Sequence, residues 1–277
     1  MTIAITGATG QLGRLAIAAL QARDARPVAL ARSPEKAADL GVEVRPFDYT
    51  RPDPAALEGI TTLVLISSND FNDRAGQHRA VIDAAKAAGV GHVVYTSILK
   101  GAANPMNLAE DHIATEAALT ASGLPHTLLR NGWYTENYTG SLGAAVAHGA
   151  MAGSAGEGRV ASAARADYAE AIAAVALDQG LQGKVYELAG DDGYTLPEMA
   201  AEVSRQTGKT ISYTNLSEAD HAALLQGFGL PEGFAVLLAN SDAAAAKGAL
   251  FDDSRALSRL IGRPTTPMAV SVKAALG

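Results

Sequence analysis

Short apolar runs alternate with alanine-rich, amphipathic stretches along the first half of the chain. The runs are rich in β-branched residues and predict six strands, at 2–6, 27–31, 42–46, 62–67, 92–97 and 125–130. Apolar positions at helical spacing predict helices over about 12–20, 74–88 and 110–122. Strands that alternate with helices form parallel sheets, so we predict a Rossmann-type, doubly wound α/β fold.

The alternation loosens after residue 130. Glycine and alanine dominate residues 140–158, a helix begins near Asp167, which we interpret as its N-cap, and a strand is predicted at 184–188. Helical segments fill much of the remainder. We therefore expect a Rossmann domain over residues 1–132 and a smaller C-terminal lobe over residues 133–277, with about 159–190 returning to the first domain.

Three glycines follow the first predicted strand at intervals of three residues, in the segment ITGATGQLGR at 5–14. Such glycines permit a tight turn, close approach of a pyrophosphate and packing of the next helix against the strand. The N-terminus of that helix offers free N–H groups to an anion. Because the loop lies between a strand and an amphipathic helix, it predicts a dinucleotide site rather than a bare turn.

The residue that follows the second strand distinguishes between the two nicotinamide cofactors. NAD-preferring sites place an acidic residue there, whereas this chain has Arg32, 19 residues beyond Gly13. A guanidinium suits a 2′-phosphate, and Lys36 is close enough to assist. The sequence therefore favours NADPH over NADH. The alternative is that Arg32 is a solvated charge at a strand end.

Composition narrows the classes of partner and of chemistry. The chain of 277 residues has a net charge of -7, which disfavours nucleic acid, and no apolar run approaches the ~18 residues of a membrane helix. We see no leader segment and expect a cytoplasmic protein without membrane insertion. The absence of cysteine excludes disulfides and thiol chemistry, and the spacing of the histidines predicts no metal site.

Several stretches resemble the NmrA-like group of atypical short-chain dehydrogenase/reductases, namely ITGATGQLGR, LISS, QHRAVIDAAKAAGV, YTSIL and LLRNGWYTENY. With GKVYELAG, LSEADHAALL and KGALFDDS, they are most similar to the bacterial type 2 NAD(P)H:quinone oxidoreductases. The likeness runs from residue 3 to about 270. The related triphenylmethane dye reductases share the front half, but are less aromatic where this chain reads Gly132-Trp133-Tyr134.

The resemblance implies a set of NADPH contacts, each at the end of a predicted strand. These are Gly7, Ala8, Thr9, Gly10, Gln11 and Leu12 at the pyrophosphate, Arg32 at the 2′-phosphate, Ser67, Ser68 and Arg74 toward the nicotinamide-side ribose, and Asn131, Gly132, Trp133, Tyr134, Thr135 and Glu136 beside the nicotinamide and the substrate. Carboxyl ends of parallel strands share one edge of a sheet, so these positions can meet. The alternative is a set of ordinary strand-to-helix turns.

Ordinary short-chain dehydrogenases carry a Tyr-x-x-x-Lys pair on the helix after the fifth strand. Here that helix reads AEDHIATEAAL, with His112 and Glu116 at the equivalent positions. A reduced ketone is a strongly basic alkoxide and needs that acid. A reduced quinone is a phenolate, whose conjugate acid titrates near about 10, so water or a modest donor can supply the proton. The missing pair favours conjugated acceptors, or no catalysis at all, and His112 either donates a proton or packs its helix.

Aromatic residues follow the sixth strand and suit a planar substrate. Trp133, Tyr134 and Tyr138 can stack on it and Asn137 can bond a quinone oxygen, unless Trp133 and one tyrosine belong to the core. We predict an NADPH-dependent quinone reductase that transfers hydride directly to the acceptor. The alternatives are an NmrA-like NADP(H)-sensing regulator with a protein partner, and a reductase of triphenylmethane-type dyes. A homodimer also stays open.

Overall fold

The first half of the molecule alternates strands and helices as predicted. A computed structural model describes all residues from 1 to 277. The first nine elements are β1 Ile3–Ile5, α1 Gln11–Gln21, β2 Val28–Ala31, β3 Val44–Pro46, β4 Thr62–Leu65, α2 Arg74–Ala87, β5 His92–Ile98, α3 Ala109–Ser122 and β6 His126–Asn131. Only short 3-10 segments, at Pro34–Leu40 and Pro54–Leu57, connect β2 to β3 and β3 to β4.

The second half is mostly helical and contributes three further strands. Its elements are α4 Glu136–Thr139, α5 Leu142–His148, β7 Ala150–Gly153, α6 Arg165–Leu177, β8 Val185–Leu188, α7 Leu196–Thr207, β9 Ser212–Asn215, α8 Glu218–Gly227, α9 Glu232–Ala245, α10 Ala256–Ile261 and α11 Met268–Leu276. The strand predicted at 184–188 is present as β8. None of the helices combines the length and apolar character that crossing a bilayer requires.

Seven parallel strands form the central sheet, in the order β3-β2-β1-β4-β5-β6-β8. This order confirms the predicted doubly wound fold. The chain changes direction across the sheet between β1 and β4, and a crevice forms there at the carboxyl ends of the strands. Strand β8 extends the sheet beyond β6, with Asn131 opposite Leu188.

Helices cover both faces of the sheet and bury two apolar cores. Helices α1 and α6 pack together on one face, where Ile17, Leu20 and Ile172 are buried. Helices α2 and α3 pack on the other face, over Leu63, Val93 and other strand residues. Strand β8 thus belongs to the central sheet and helix α6 packs on one of its faces, although both follow residues 140–158, where the alternation of strands and helices is lost.

The start of α6 differs from the expectation for Asp167. The helix begins at Arg165, its N-cap is Ala164, and no side chain of the N-cap residue bonds to it. Asp167 is fully buried inside the first turn and accepts hydrogen bonds from Arg263 at 2.7 Å and from the Thr266 backbone at 2.8 Å. The N-cap interpretation was therefore wrong, because this carboxylate anchors the segment that precedes α11.

The smaller lobe is built around a second sheet of two parallel strands, β7 and β9. Neither strand was predicted. Their sequences, AMAG and SYTN, are too short and too rich in small or polar residues to show alternation. Helices α5, α7 and α11 bury an apolar cluster beside them, which includes Leu142, Met199 and Val272.

Candidate functional site

A cleft of about 840 Å³ follows the carboxyl ends of the central strands. Residues at or just after the carboxyl ends of the six strands β1 to β6 form one wall, and α9 contributes to the other. Its size lies in the usual range for ligand sites. The cleft brings together most of the predicted site residues: Gly7, Thr9, Gly10, Gln11, Leu12, Arg32, Ser67, Ser68, Arg74, His112, Asn131, Gly132, Trp133, Tyr134 and Asn137.

The glycine loop at the end of β1 has no room for side chains. Gly7 has a φ of +60°, in the left-handed region, and a Cβ added to Gly13 would lie 2.3 Å from the Gly7 carbonyl oxygen. Helix α1 therefore packs directly on the loop. The N-cap residue of α1 is Gly10, which has no side chain that could cap the helix, and the first turn contains no acidic residue. The free N–H groups of that turn can hold an anion.

Arg32 and Lys36 line the same end of the cleft, just beyond β2, and both side chains are exposed. None of the ion pairs of the chain involves either of them. Asp48, which follows β3, also lines the cleft, but its carboxylate accepts from the Thr50 backbone and hydroxyl at 2.9 Å. Two cations thus remain available to a phosphate group.

The middle of the cleft contains an unusual concentration of unpartnered polar atoms. Seven buried side-chain atoms of the protein lack a hydrogen bond, and five of them belong to cleft residues. The five are Ser67 Oγ, Arg74 Nη1, Asn131 Oδ1, Asn131 Nδ2 and Trp133 Nε1. Arg74 Nη1 lies 3.8 Å from an Asp111 carboxylate oxygen, an ion-pair distance that is too long for a hydrogen bond. Because buried polar groups are normally paired, this cluster indicates a polar ligand. A dinucleotide with a carboxamide and two riboses fits this donor and acceptor set.

Four predicted site residues do not line the cleft. Ala8 is completely buried beneath the loop. The Thr135 hydroxyl bonds that of Ser162 at 2.8 Å, and the Glu136 carboxylate accepts from the Arg165 backbone at 2.9 Å, at the start of α6. The Tyr138 hydroxyl donates to Asp242 at 3.0 Å in the smaller lobe. Internal hydrogen bonds occupy the last three side chains, and the expected roles of all four residues at the cofactor or the substrate stay predictions.

The two helix positions that replace the Tyr-Lys pair have different surroundings. His112 is buried and its Nδ1 lies 2.8 Å from the Tyr95 hydroxyl. Burial, aided by the positive charge of Arg74, lowers the pKa of His112 to about 3. Glu116 is bound to the Arg130 guanidinium and does not line the cleft.

Residues of the smaller lobe close part of the cleft, and sequence reasoning missed them. Phe234, Leu237 and Leu238 of α9 face the sheet residues, and the Phe234 ring centroid lies 6.0 Å from that of Phe71 in the loop after β4. The Arg74 guanidinium covers the Phe71 ring at 4.5 Å. The apolar run GFAVLL was the one available signal, but periodicity alone cannot place a late helix over a distant strand end.

A scan against protein families matches residues 7–179 to a family described as NAD(P)H-binding. The chain belongs to this NAD(P)H-binding family. The match covers the glycine loop, Arg32 and every strand-end segment that lines the cleft, so membership in the NAD(P)H-binding family accounts for the arrangement of one whole wall.

Individual relatives confirm the resemblance found in the sequence. Quinone oxidoreductase 2 of Escherichia coli is 53% identical over 277 residues, which cover 98% of this chain and 97% of that protein. The crystal structure of an NADPH-dependent quinone oxidoreductase from E. coli, complexed with NADPH, has a TM-score of 0.96 at 53% identity and covers 99% of this chain and 100% of its own. Triphenylmethane reductase of Citrobacter sp., complexed with NADP(H), has a TM-score of 0.92 at 36% identity, with 99% of each chain covered.

Proposed function

We propose that the protein is an NADPH-dependent quinone reductase. The observation that carries this proposal is the cluster of five unpartnered polar atoms, which lies in one cleft with the glycine loop and faces the apolar side chains of α9. A polar wall suits a dinucleotide, and an apolar wall opposite suits a flat organic acceptor. The 53% identity to Quinone oxidoreductase 2 supports this assignment.

The dinucleotide would be held at three places. The loop from Gly7 to Leu12 would bind the pyrophosphate, and Arg32 with Lys36 would bind the 2′-phosphate. Ser67, Ser68, Arg74, Asn131 and Gly132 would contact its nicotinamide half. The bound cofactor supplies a hydride, and water supplies one proton, so NADPH, a quinone and H⁺ give NADP⁺ and a hydroquinone.

The acceptor would lie beside Trp133, Tyr134 and Asn137. The Tyr134 ring contacts the Arg165 guanidinium, 4.8 Å from its centroid, and forms a T-shaped pair with the Tyr168 ring. Asn137 Oδ1 accepts from Arg165 at 3.0 Å, which leaves its amide N–H groups free to donate to a carbonyl oxygen. These residues orient two planar molecules, and proximity then supplies most of the rate.

We further propose that residues 1–132 and the returning segment 159–190 form the NADP-binding domain, with the substrate lobe in 133–277. The packing of α6 on α1 and the pairing of β8 with β6 support the returning segment. We place the protein in the cytoplasm, where NADPH serves as a reductant, with a small-molecule substrate. Its net charge of -7 argues against nucleic acid as a partner.

A spectrophotometric assay tests the activity. The protein is mixed with NADPH and a small benzoquinone, and the loss of reduced-nicotinamide absorbance is followed together with hydroquinone formation. We expect one hydroquinone for each NADPH oxidised, and slower turnover with NADH. Tight NADPH binding without oxidation by several quinones and triphenylmethane dyes would reject the proposal and favour an NADP(H)-sensing regulator.

A further inference from the structure

Two histidines and a tyrosine form a buried hydrogen-bonded group beside the cleft. His78 of α2 and Tyr95 of β5 are completely buried, and His112 of α3 is 7% exposed. The Tyr95 hydroxyl lies 2.8 Å from Nδ1 of His112 and 3.5 Å from Nδ1 of His78. One fixed donor, the Ser68 backbone N–H, and the short distances within the group indicate where each proton lies.

The proton of His78 is assigned by its two neighbours. The Ser68 backbone N–H donates to His78 Nε2 at 2.9 Å, so Nε2 carries no proton. The proton of the neutral ring is therefore on Nδ1, which lies 2.9 Å from the Thr115 hydroxyl. That hydroxyl donates its own hydrogen to the Asp111 carbonyl at 2.7 Å and can accept from His78.

The short distance between Tyr95 and His112 assigns the proton of Tyr95 to that hydrogen bond. Burial raises the pKa of Tyr95, so its hydroxyl keeps its hydrogen. Nδ1 of His78 is already a donor, and Nδ1 of His112 is the nearer of the two ring nitrogens, 2.8 Å from the hydroxyl, so we assign the hydroxyl hydrogen to Nδ1 of His112, which then accepts it. The neutral His112 ring therefore carries its proton on Nε2. That atom has no partner within the chain, and His112 lines the cleft.

The surroundings of His112 keep this ring neutral. The groups that face it are Arg74 and His78 on α2 and Tyr95 on β5. Asp111 lies 3.8 Å from the Arg74 guanidinium. Burial contributes most, and the positive charge of Arg74 adds to it, so the pKa of His112 falls to about 3. The imidazole is then an N–H donor over the whole physiological range of pH.

We propose that His112 donates its Nε2–H to a carbonyl oxygen of the acceptor, and that Tyr95 and His78 act as positioning residues that fix its tautomer. This inference rests on the proposed quinone reductase function. A neutral imidazole placed in this way stabilises the negative charge that develops on the oxygen as hydride arrives at the ring. His112 keeps its proton, since its loss would create an imidazolate, a stronger base than the phenolate product.

The tautomer can be measured without any dinucleotide. Nitrogen-15 NMR of the free protein at neutral pH should show His112 with an unprotonated Nδ1 and a protonated Nε2, with no titration between about pH 5 and 8. In Tyr95→Phe the same ring should become a mixture of tautomers. A wild-type ring that carries its proton on Nδ1 would overturn the proposal.

Kinetics then test the role of the N–H group. His112→Leu should lower kcat/KM for a benzoquinone by about 100-fold with the Kd for NADPH unchanged, which is typical of a lost donor to a developing oxyanion. His112→Gln, whose amide restores an N–H, should recover most of that loss. His92→Gln is the matched control, because His92 is a buried histidine of β5 bonded to the Thr127 hydroxyl and outside the cleft.

The outcomes separate this inference from the function on which it rests. A wild-type protein inert toward quinones rejects both. An active wild type with an equally active His112→Leu variant rejects the His112 role alone. A dye reduced at carbon, such as a cationic triphenylmethane dye, has no carbonyl oxygen to accept from His112. If wild type reduces such a dye, His112→Leu should reduce it at the wild-type rate. If His112→Leu instead reduces the dye and the quinone more slowly by the same factor, the proposal is contradicted.

Discussion

Glu116 accepts two hydrogen bonds from the guanidinium of Arg130, at 2.9 and 2.7 Å. A second carboxylate, Glu187 of β8, binds the same guanidinium at 2.9 Å. By the resemblance in sequence, Glu116 is expected at the helix position where ordinary short-chain dehydrogenases have a lysine that activates a tyrosine. Here the position links α3 to β6 and β8, so it stabilises the sheet edge and cannot activate an acid. The absence of that chemistry agrees with an acceptor that needs no strong proton donor.

Removal of Arg130 should therefore affect folding rather than cofactor binding. Arg130→Met leaves two partly buried carboxylates without their partner, and we expect the free energy of unfolding to fall by about 2 kcal/mol. Urea denaturation measures this change, with NADPH affinity retained. The matched control is Arg205→Met, because Arg205 is exposed and its ion pair with Glu202 should contribute little to the free energy of unfolding. Equal losses in the two variants would contradict the structural role.

The strands of the central sheet could be predicted because their residues carry a strong local signal. Runs such as His92–Ile98 are buried along their whole length and are rich in β-branched residues. The pair β7 and β9 could not be predicted, since its strands are held by contacts between residues about 60 apart rather than by local preference. The position of Asp167 was misjudged for a related reason, because its partner, Arg263, lies far along the chain.

The candidate site also contains some residues that could be predicted from the sequence and others that could not. Residues at strand ends, such as Arg32 and Asn131, could be predicted because the topology brings those ends to one edge. The contribution of α9 to the cleft could not be predicted, since nothing in the sequence places Phe234 over Phe71. The tautomer of His112 could not be predicted either, because it depends on hydrogen bonds of Ser68 and Tyr95 that only the folded structure shows.

Arg32 should determine the preference between the two cofactors. A free guanidinium contributes about 1.5–3 kcal/mol to a charged hydrogen bond, so Arg32→Ala should weaken NADPH binding by roughly 10- to 100-fold and leave NADH binding nearly unchanged. Titration of nicotinamide fluorescence measures both Kd values. Arg26→Ala is the control, because Arg26 is an exposed arginine just before the same strand, at its opposite end. An unchanged ratio of the two Kd values in Arg32→Ala would reject this role.

The buried histidines should make the protein less stable in acid. Burial, with the charge of Arg74, lowers the pKa of His78 to about 3, whereas an unfolded histidine titrates near about 6.5. Between these values the unfolded chain binds a proton that the folded protein excludes, so the free energy of unfolding falls as the pH drops below about 6.5. The free energy of unfolding stops falling only near pH 3, where His78 also binds a proton in the folded protein.

His78→Gln removes one such group and should flatten this pH dependence. From pH 7 to pH 5, wild type should lose roughly 2 kcal/mol more of its free energy of unfolding than the variant. Urea denaturation at several pH values between these limits measures the difference. His148→Gln is the comparison variant, because it removes a histidine from an exposed position at the end of α5. A His78→Gln curve that is parallel to wild type would show that His78 takes up a proton in the folded state.

Two helical glycines should respond in opposite directions to alanine. A Cβ on Gly13 of α1 would lie 2.3 Å from the Gly7 carbonyl oxygen and 2.9 Å from the Ala8 Cα, so the glycine loop must shift. Gly143 of α5 is exposed, and a Cβ there would meet nothing within 4 Å. Gly13→Ala should lower the free energy of unfolding by about 2 kcal/mol and weaken NADPH binding. Gly143→Ala should raise the free energy of unfolding by about 0.5 kcal/mol, because alanine has the higher helix propensity. The Kd for NADPH should stay unchanged in this variant. If Gly13→Ala binds NADPH with the wild-type Kd, the close packing of α1 on the loop is not needed to hold the pyrophosphate.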